Sequence, residues 1–407
     1  MIVIGAGIVG TATALWLLGA GHDVTVYDAD PAGLPTSSGN AALIARPEIA
    51  PIASPGIIKA VPGWLLDPLG PLTVRWRDLP ALMPWLTAFL AASAPGRVAA
   101  GRHALAGLMR TALEDHRALA ATVAVPDHFR EVGYLSLHDS DKSLRAGLEE
   151  MGRVKSLLGY EFERLDPAAA RRLVPQAEGP FAGAIHQPAY WMVTNPLAML
   201  RDYQGAVRRR GQLLSGRVTA VEPLADAVLV RLESGDRDLA DRVVVAAGIW
   251  SRDLVRQMGL RVLLETERGY NTTFTDLGWN LPMPLGFADH GFIASPLVDG
   301  LRVGGAVELA RPEAPPSFAR AAAMRQKMRR YVPALPEGGV EWMGRRPSTP
   351  DSLPVISPHP RDARIVFAFG HGHLGLTLSA VTARLVAGLI AGRAGRDLAP
   401  FDIQRFQ

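Results

Sequence analysis

The chain has 407 residues, of which 48% are hydrophobic and 20% charged, a composition typical of a folded protein with two or three domains. Its 43 Lys and Arg residues barely outnumber the 39 Asp and Glu residues, and a net charge of +4, scattered along the chain, does not indicate a nucleic-acid partner. The absence of cysteine excludes disulfides, thiolate catalysis, iron–sulfur clusters and cysteinyl attachment of a prosthetic group.

The first residues predict a strand, a tight turn and a helix. A short apolar run leads into Gly5, Gly7 and Gly10, and an alanine-rich helical segment follows over about residues 8–18. The G-x-G-x-x-G spacing suits a sharp turn, close approach of backbone N–H groups to a pyrophosphate, and tight packing of the helix on the strand. This stretch therefore predicts a dinucleotide-binding turn.

Two neighbouring features support that prediction. The first-turn amides at Ile8 and Val9 and the helix dipole would face the pyrophosphate dianion. A second strand over residues 23–28 ends in Asp28, 18 positions after Gly10, near the roughly 20 at which an acidic side chain reaches an adenosine ribose. An acid there disfavours the 2′-phosphate of NADP, so NAD and FAD both remain open.

The remaining elements follow in chain order, from their hydrophobic periods and turn residues. They are a loop over 31–55, short helices over 57–102, a helix over 101–122, a strand over 130–138, helices over 141–158 and from Asp166, a strand over 181–188, a helix from Asn195, strands over 216–221, 227–232 and 241–247, short strands over 260–341, a helix over 320–331, a strand over 363–369, a glycine loop over 370–375 and a helix over 376–392.

The two ends of the chain have the same order of strand, glycine loop and helix. The apolar run at 242–248 reads as a parallel strand buried on both faces, as if the sheet begun at Ile2 resumes there. We therefore predict a discontinuous nucleotide domain over 1–60, 195–259 and 341–407. An α+β substrate domain of mostly antiparallel sheet, over 61–194 and 260–340, is interleaved with it.

Five blocks resemble, in their order, the FAD-dependent amine and amino-acid oxidoreductases of the D-amino-acid oxidase superfamily. They are residues 1–28, 36–41, 243–251, 344–351 and 370–377. Residues 53–57, 71–75 and 79–86 also resemble the early region of the bacterial D-amino-acid dehydrogenases. The chain departs from their pattern at His373 and at Ser357, where that group often has a small polar residue and a glycine.

The resemblance implies an FAD-binding Rossmann domain of the glutathione-reductase type, with FAD bound non-covalently. It assigns the ADP half of FAD to the N-terminal turn, with Gly5, Gly7, Gly10 and Asp28. It assigns the remaining contacts to Ser38, Asn40 and Ala41 at the edge of the flavin ring, Val218 at the adenine, Gly248 on the nucleotide side, and Gly372, Gly375, Leu376 and Thr377 at the pyrimidine edge.

The resemblance also suggests substrate-binding residues. Arg346 matches the family arginine before a proline, and its guanidinium fork suits a bidentate clamp on a carboxylate; the alternative is a salt-bridged structural arginine. Tyr270 would add a hydroxyl to the carboxylate or cover the pocket, or else is a buried tyrosine bonded to the backbone. His186, Tyr190 and His373 are further candidates for the pocket, where a histidine would bond a substrate hydroxyl or the amine.

These residues favour an FAD-dependent D-amino-acid dehydrogenase that forms the imino acid and passes electrons to a quinone or another carrier. The preferred substrate is a cyclic one such as D-proline or cis-4-hydroxy-D-proline, because no acid stands out as partner for a cationic side chain. The alternatives are an amine oxidase of the glycine or sarcosine type, which uses O₂, and a flavoprotein with structural FAD.

Several negative observations complete the prediction. No histidine and carboxylate spacing suits a metal, so no metal site is expected. No apolar run reaches the roughly 20 residues of a membrane span; the one over 376–392 comes closest and carries Arg384. We expect a cytoplasmic protein with no nucleic-acid partner, in peripheral contact with the inner face of the membrane.

Overall fold

The computed structural model describes residues 1–55, 72–393 and 396–407, whose strands form four sheets. The strands are β1 (Ile2–Ile4), β2 (Thr25–Asp28), β3 (Leu43–Ile44), β4 (Leu72–Val74), β5 (Phe129–Glu131), β6 (Tyr134–His138), β7 (Glu163–Leu165), β8 (Gly183–Gln187), β9 (Trp191–Val193), β10 (Gln212–Ser215), β11 (Val218–Pro223), β12 (Val228–Leu232), β13 (Arg237–Ala240), β14 (Val243–Val245), β15 (Glu265–Phe274), β16 (Leu285–Phe287), β17 (Phe292–Leu297), β18 (Gly300–Leu309), β19 (Val340–Ser348), β20 (Val355–His359) and β21 (Asp362–Phe369).

Helices connect and cover the sheets. The α-helices of the described residues are α1 (Ile8–Gly19), α2 (Leu79–Ala92), α3 (Pro95–Met109), α4 (Ala112–Val123), α5 (Asp141–Leu158), α6 (Pro167–Leu173), α7 (Pro196–Arg210), α8 (Ser251–Gln257), α9 (Ala319–Arg329) and α10 (Gly375–Ile390). Short 3-10 helices lie at Thr36–Gly39, Trp76–Asp78, Gly248–Trp250, Gly372–Leu374, Arg396–Phe401 and Ile403–Phe406.

The first sheet has six strands in the order β10, β2, β1, β14, β21, β20, all parallel except β20. Because side chains alternate along a strand, one face of β1 and β14 presents Val3 and Val244 to the core that contains α1 and α10. The other face presents Ile2 and Val243 to the antiparallel sheet β11–β12–β13. Burial of both faces explains the continuous apolar runs in the sequence.

The second large sheet has the order β19, β15, β18, β17, β16, β6, β8, β7, with β4 beside β18. Its pairs are antiparallel except β16 with β6 and β18 with β4. Helix α9 packs on this sheet, and the small sheet β3–β9–β5 ties the N-terminal region to residues near 191. The fold is thus a parallel α/β layer joined to a mostly antiparallel sheet, as expected for this class.

The structure agrees with the predicted helix starts at Asp166 and Asn195 and divides one predicted helix in two. Asp166 accepts a hydrogen bond from the amide of Ala169, and Asn195 caps α7. The single helix predicted over 101–122 is two helices, α3 and α4, because the chain leaves helical geometry at Thr111 and its hydroxyl bonds Asp115. The short helices predicted over 57–102 lie partly outside the described residues.

Sheet membership supports the proposed division of the chain, with one correction. All strands of the six-stranded sheet and of β11–β12–β13 come from the segments 1–60, 195–259 and 341–407. Strand β19, however, pairs with β15 in the second sheet, so the boundary predicted at 341 moves past Ser348.

Among the described residues, one apolar stretch, Gly372–Ile390, has the length and hydropathy of a membrane span, and 67% of it is buried inside the protein.

Candidate active site

Three glycine-containing turns meet at one edge of the six-stranded sheet. Strands β1, β14 and β21 run parallel, so their carboxyl ends share an edge, and the turns that begin at Gly5, Ala246 and Gly370 follow those ends. Ligands of open α/β sheets bind outside this edge. Blocks from the beginning, middle and end of the chain are therefore brought to one place.

The N-terminal turn has a distinct structural demand at each glycine. Gly5 has φ +108°, and a Cβ there would lie 2.5 Å from the Ala246 carbonyl oxygen. A Cβ on Gly10 would overlap the Gly5 carbonyl oxygen, so helix and strand pack in direct contact. A Cβ on Gly7 meets nothing within 4 Å, because Gly7 caps α1 beside open space. That space adjoins the helix N-terminus, where a pyrophosphate binds in dinucleotide folds.

The first turn of α1 supplies amides toward this space. Gly7 is the N-cap, so the amides of Ile8 and Val9 have no acceptor within the helix. Asp28 holds the turn from the second strand, because its Oδ2 accepts from the amide of Ala6 at 2.7 Å. Its predicted place at the carboxyl end of β2 is thus beside the turn.

Val218 begins β11 close to Asp28. The amide of Gly216 donates to the Asp28 carbonyl oxygen at 2.8 Å, which fixes the start of β11 beside the end of β2. On the other side, Gly248 has φ +57°, and a Cβ there meets nothing within 4 Å. Both residues border the space in front of the sheet edge, where the resemblance assigns the adenosine.

Residues 36–41 cross from the six-stranded sheet to the second sheet. Arg302 on β18 donates to the carbonyl oxygens of Ser38 at 3.1 Å and Asn40 at 2.9 Å. Ser295 donates to the carbonyl oxygen of Ala41 at 2.7 Å. The side chains of Ser38 and Asn40 hydrogen-bond within their own loop, so these residues line the site mainly with backbone.

The C-terminal glycine loop leads into the N-terminus of α10. Gly372 has φ +53°, and Gly375 and Leu376 begin the helix, so their amides and that of Thr377 point out of the first turn. The hydroxyl of Thr377 serves a different purpose: it accepts from the amide of Ala45 at 2.9 Å and so anchors the chain beyond β3. The imidazole of His371 is bonded inside the protein, with Nε2 2.9 Å from the Thr382 hydroxyl.

Arg346 lies on the face of the second sheet that carries a row of glycines. A Cβ on Gly269 would overlap the Arg346 guanidinium, so this glycine gives the guanidinium its room. Among the described residues the guanidinium forms one hydrogen bond, from Nη1 to the Ala306 carbonyl oxygen at 3.4 Å. Burial lowers the pKa of Arg346, and the carboxylate of Glu267 opposes that fall. The predicted alternative, a salt-bridged arginine, does not match this geometry.

Tyr270 does not share that face. Its hydroxyl donates to Glu308 Oε2 at 2.5 Å and accepts from the amide of Ser317, and its ring packs against Phe318. Because side chains alternate along β15, Tyr270 points to the side of the sheet opposite Gly269. The predicted contact of Tyr270 with a substrate carboxylate is therefore wrong in this structure, and the alternative of a buried structural tyrosine holds.

The three remaining candidates lie in different places. His373 lines a cavity at the glycine loop; burial, together with the Arg346 cation, lowers its pKa to about 4. His186 lies on β8, six strand positions from β19, which corresponds to roughly 25–30 Å of sheet. His186 therefore lies far from Arg346 along the sheet, and its predicted place in the pocket stays a prediction. Tyr190 is buried and stacks on Tyr134 with ring centroids 4.9 Å apart.

One residue of the cavity, Glu267, was not among the residues predicted from the sequence. It lines the cavity with Ser348 and His373, and it stands directly opposite Arg346 on the neighbouring strand. Glu267 lies two residues before Gly269, so alternation along a strand could have placed the two on the same face. The pairing with β19 was needed to show that this face also carries Arg346. Within the described ranges no cluster of three His, Asp or Glu residues could hold a metal.

The site fits a bound FAD. Gly7 and Gly248 leave open space where a Cβ would project, and two free helix N-termini face the same sheet edge. The Ser348 hydroxyl, buried beside the glycine loop, has no hydrogen-bond partner among the described residues. Such a dinucleotide cradle, beside a partly buried arginine on the neighbouring sheet, defines a dinucleotide-dependent oxidoreductase.

Comparison with known proteins agrees with that class. A family profile described as FAD dependent oxidoreductase matches residues 1–389, and the chain belongs to this FAD-dependent oxidoreductase family. It is 34% identical to a D-amino-acid oxidase of Bradyrhizobium diazoefficiens, over 99% of this chain and 98% of that one. It is 31% identical to a D-amino acid dehydrogenase of Methylobacterium nodulans, over 97% and 96%.

Solved structures share the fold. Glycine oxidase from Geobacillus kaustophilus superposes with a TM-score of 0.74 and 21% identity, covering 99% of this chain and 98% of that one. L-proline dehydrogenase from P. horikoshii gives a TM-score of 0.74 at 18% identity, covering 100% and 96%. At these identities the likeness concerns the fold alone. The predicted fold class and the predicted FAD cofactor are confirmed.

Proposed function

We propose that the protein oxidises a D-amino acid to the imino acid. The observation that carries this proposal is the Arg346 guanidinium, which is partly buried, forms one long hydrogen bond, and lies on the glycine-bearing face beside the C-terminal loop. A guanidinium without an anionic partner in a buried site is suited to bind a carboxylate in bidentate fashion. The two relatives named above act, by their names, on D-amino acids, which supports the choice of substrate class.

The protein binds and orients the substrate, and the cofactor carries out the redox step. Arg346 would hold the carboxylate, and Gly269 gives its guanidinium the room to extend over the sheet. FAD, when bound, supplies the atom N5 that accepts a hydride from the α-carbon. The protein therefore contributes binding and orientation, which by themselves lower the barrier substantially.

The test is anaerobic reduction of the bound flavin by a panel of D-amino acids, with their L-enantiomers and glycine as references. The wild-type protein should lose its visible flavin absorption with at least one D-amino acid. Arg346→Ala should retain FAD but raise KM by about a hundredfold, because a bidentate charged pair contributes about 3 kcal/mol. An unchanged KM would exclude the clamp.

Arg345→Ala is the matched control for this experiment. Arg345 neighbours the clamp but points to the other side of β19, where its Nε donates to the Pro312 carbonyl oxygen at 2.8 Å. The flavin of Arg345→Ala should be reduced by the same D-amino acids as the flavin of the wild-type protein. A loss of substrate affinity in Arg345→Ala equal to that in Arg346→Ala would mean that disturbance of the strand, not the missing guanidinium, explains the result.

Within the D-amino acids, we propose a cyclic substrate such as D-proline or cis-4-hydroxy-D-proline. The carboxylate that the cavity does contain, Glu267, stands opposite Arg346 and not at a distance from it, so it is not placed for the end of a long cationic side chain. The panel decides this point. Faster reduction by D-arginine or D-lysine than by D-proline would replace the cyclic substrate with a basic one.

We further propose that electrons leave to a quinone at the inner face of the membrane, from a protein of the cytoplasm. Three exposed apolar side chains support a membrane contact: Trp76, Met83 and Leu90 are 63%, 45% and 39% exposed, and their spacing of seven places them on one side of α2 and the turn before it. Such a stripe suits shallow insertion into a lipid surface.

Two measurements test this part. Wild-type protein should sediment with anionic phospholipid vesicles, and Trp76→Ser with Met83→Ser should not. Val298→Ser is the control, because Val298 is 76% exposed elsewhere on the surface. Turnover with a soluble quinone should exceed peroxide formation in air; the reverse would favour an oxidase of the glycine or sarcosine type. A flavin that no amine or amino acid reduces would indicate structural FAD.

A further inference from the structure

Glu267 is a buried carboxylate without a hydrogen-bond partner for one oxygen. Its residue is 3% exposed, and its Oε2 meets no donor among the described residues. The cavity that it lines is also bordered by Ser348 and by the glycine-loop histidines His371 and His373. A buried acceptor that is left unpaired is costly, so its retention at a cavity wall points to a ligand group that donates to it.

The geometry relates Glu267 to the carboxylate clamp. Glu267 and Arg346 are directly opposite on antiparallel strands, so their side chains leave the same face of the sheet with Cβ atoms about 5 Å apart. The guanidinium nevertheless extends over Gly269, and no nitrogen of Arg346 comes within the 4.0 Å of an ion pair with Glu267. The Glu267 carboxylate, which can bind a cationic group, and the Arg346 guanidinium, which can bind an anionic group, thus stand side by side, each with free polar atoms.

This arrangement matches the two charged groups of an α-amino acid. Arg346 would hold the carboxylate, while Glu267 faces the position of the adjoining amino group. Burial raises the pKa of the Glu267 carboxyl, and the Arg346 cation and the neighbouring Ser348 hydroxyl oppose the rise. The geometry of that hydroxyl does not make a hydrogen bond to Oε2. The other titratable groups that face Glu267 among the described residues are His371 and His373, and burial holds the pKa of each low, so both are uncharged at neutral pH.

We infer that Glu267 receives the substrate's amino group and takes up one of its protons before oxidation. This inference rests on the proposed function. An N–H bond of the ammonium breaks, its electron pair stays on nitrogen, and the proton forms an O–H bond on Glu267. The neutral amine can then form the C=N bond with that electron pair, while the α C–H pair leaves as hydride to oxidised FAD, which is reduced by two electrons.

Glu267→Gln tests the inference because it keeps the shape and removes the proton acceptor. Binding of cyclopentanecarboxylate, which has a carboxylate but no amine, should be unchanged by calorimetry. Anaerobic reduction by the best D-amino acid should slow by about a hundredfold at neutral pH. The deficit should disappear above the pKa of the free amine, where no proton has to be removed.

The controls separate the roles. Glu265→Gln lies two residues away on the same strand, but its carboxylate already accepts from Arg252 at 2.9 Å, so it should keep the wild-type pH profile. If Glu267→Gln does not retain FAD, Glu267→Asp replaces it and should keep the wild-type profile with a lower rate. A profile shifted to high pH in the Asp variant would overturn the inference.

The other outcomes are distinct. Equal loss of cyclopentanecarboxylate and amino-acid binding in Glu267→Gln would mean that Glu267 only positions Arg346, and an unaltered pH profile would mean that it takes no proton; either overturns the inference and leaves the proposed function intact. If wild-type flavin is reduced by no amino acid, the proposed function itself fails, and the inference with it.

Discussion

Two alanine substitutions in the N-terminal turn should separate cofactor binding from folding. Gly7→Ala places a Cβ in space that the protein leaves open, with backbone angles of φ −66° and ψ 177° that alanine also adopts. The cost to the apoprotein should be about 1 kcal/mol or less, as for alanine at a helix N-cap. Gly10→Ala places a Cβ onto the Gly5 carbonyl, so the apoprotein should lose at least about 1–3 kcal/mol through overpacking.

The effect of Gly7→Ala on FAD should be far larger than its effect on folding. A methyl group in front of the first turn of α1 separates the pyrophosphate from its amides. Each charge-assisted hydrogen bond lost contributes about 1.5–3 kcal/mol, so the loss of two weakens FAD binding by about 10²–10⁴-fold. Fluorescence titration of the apoprotein with FAD measures the affinity, and urea unfolding without FAD measures the stability.

Without FAD, Gly7→Ala should therefore be about as stable as wild type, but it should lack the gain in stability that FAD gives. Gly10→Ala should be less stable than wild type both with and without FAD. Wild-type FAD affinity in Gly7→Ala would refute the placement of the pyrophosphate at α1. A loss of apoprotein stability in Gly7→Ala as large as that in Gly10→Ala would refute the open space beside Gly7.

Three further predictions concern the rest of the site and its support. Tyr270→Phe should lower the free energy of unfolding by about 1–3 kcal/mol, because its buried carboxylate acceptor loses a donor, and leave KM unchanged; a raised KM would return Tyr270 to the substrate site. Gly269→Ala should raise KM as strongly as loss of the Arg346 guanidinium while FAD stays bound, as flavin absorbance and steady-state kinetics will show. Folding lowers the pKa of His116 from 6.5 to about 4 and that of His371 to about 3, so below pH 6.5 the unfolded chain binds protons that the folded chain does not. The free energy of unfolding, measured in urea near pH 5, should therefore fall with decreasing pH by up to about 1.4 kcal/mol per pH unit for each histidine. A constant free energy of unfolding over that window would contradict their burial.

Local patterns carried the prediction of the cofactor half of the site. The glycines of the N-terminal turn lie within a few residues of one another, so their spacing alone identified the turn. The helix start at Asp166 was predicted from neighbouring residues in the same way. Strand β14 was predicted because a strand buried on both faces is continuously apolar. The order of such elements then sufficed for the fold class.

The substrate half depended on information that a single sequence lacks. Whether Tyr270 or Gly269 faces the cavity is decided by the phase of β15, and the chain around it does not alternate clearly between polar and apolar residues. The pairing of Glu267 with Arg346 depends on the register of two strands separated by more than 60 residues of chain. The distance of His186 from Arg346 likewise follows from the strand order of the sheet, which a single sequence does not show.

The order of strands in the six-stranded sheet has a consequence for synthesis of the chain. Strand β1 is made about 240 residues before its neighbour β14, and β21, which completes the edge, follows β14 by about 120 residues. Contacts so distant in sequence form slowly, and the emerging N-terminal half cannot close its core by itself. The nascent chain should thus depend on chaperones until β21 and α10 have left the ribosome, and it should capture FAD only after that point.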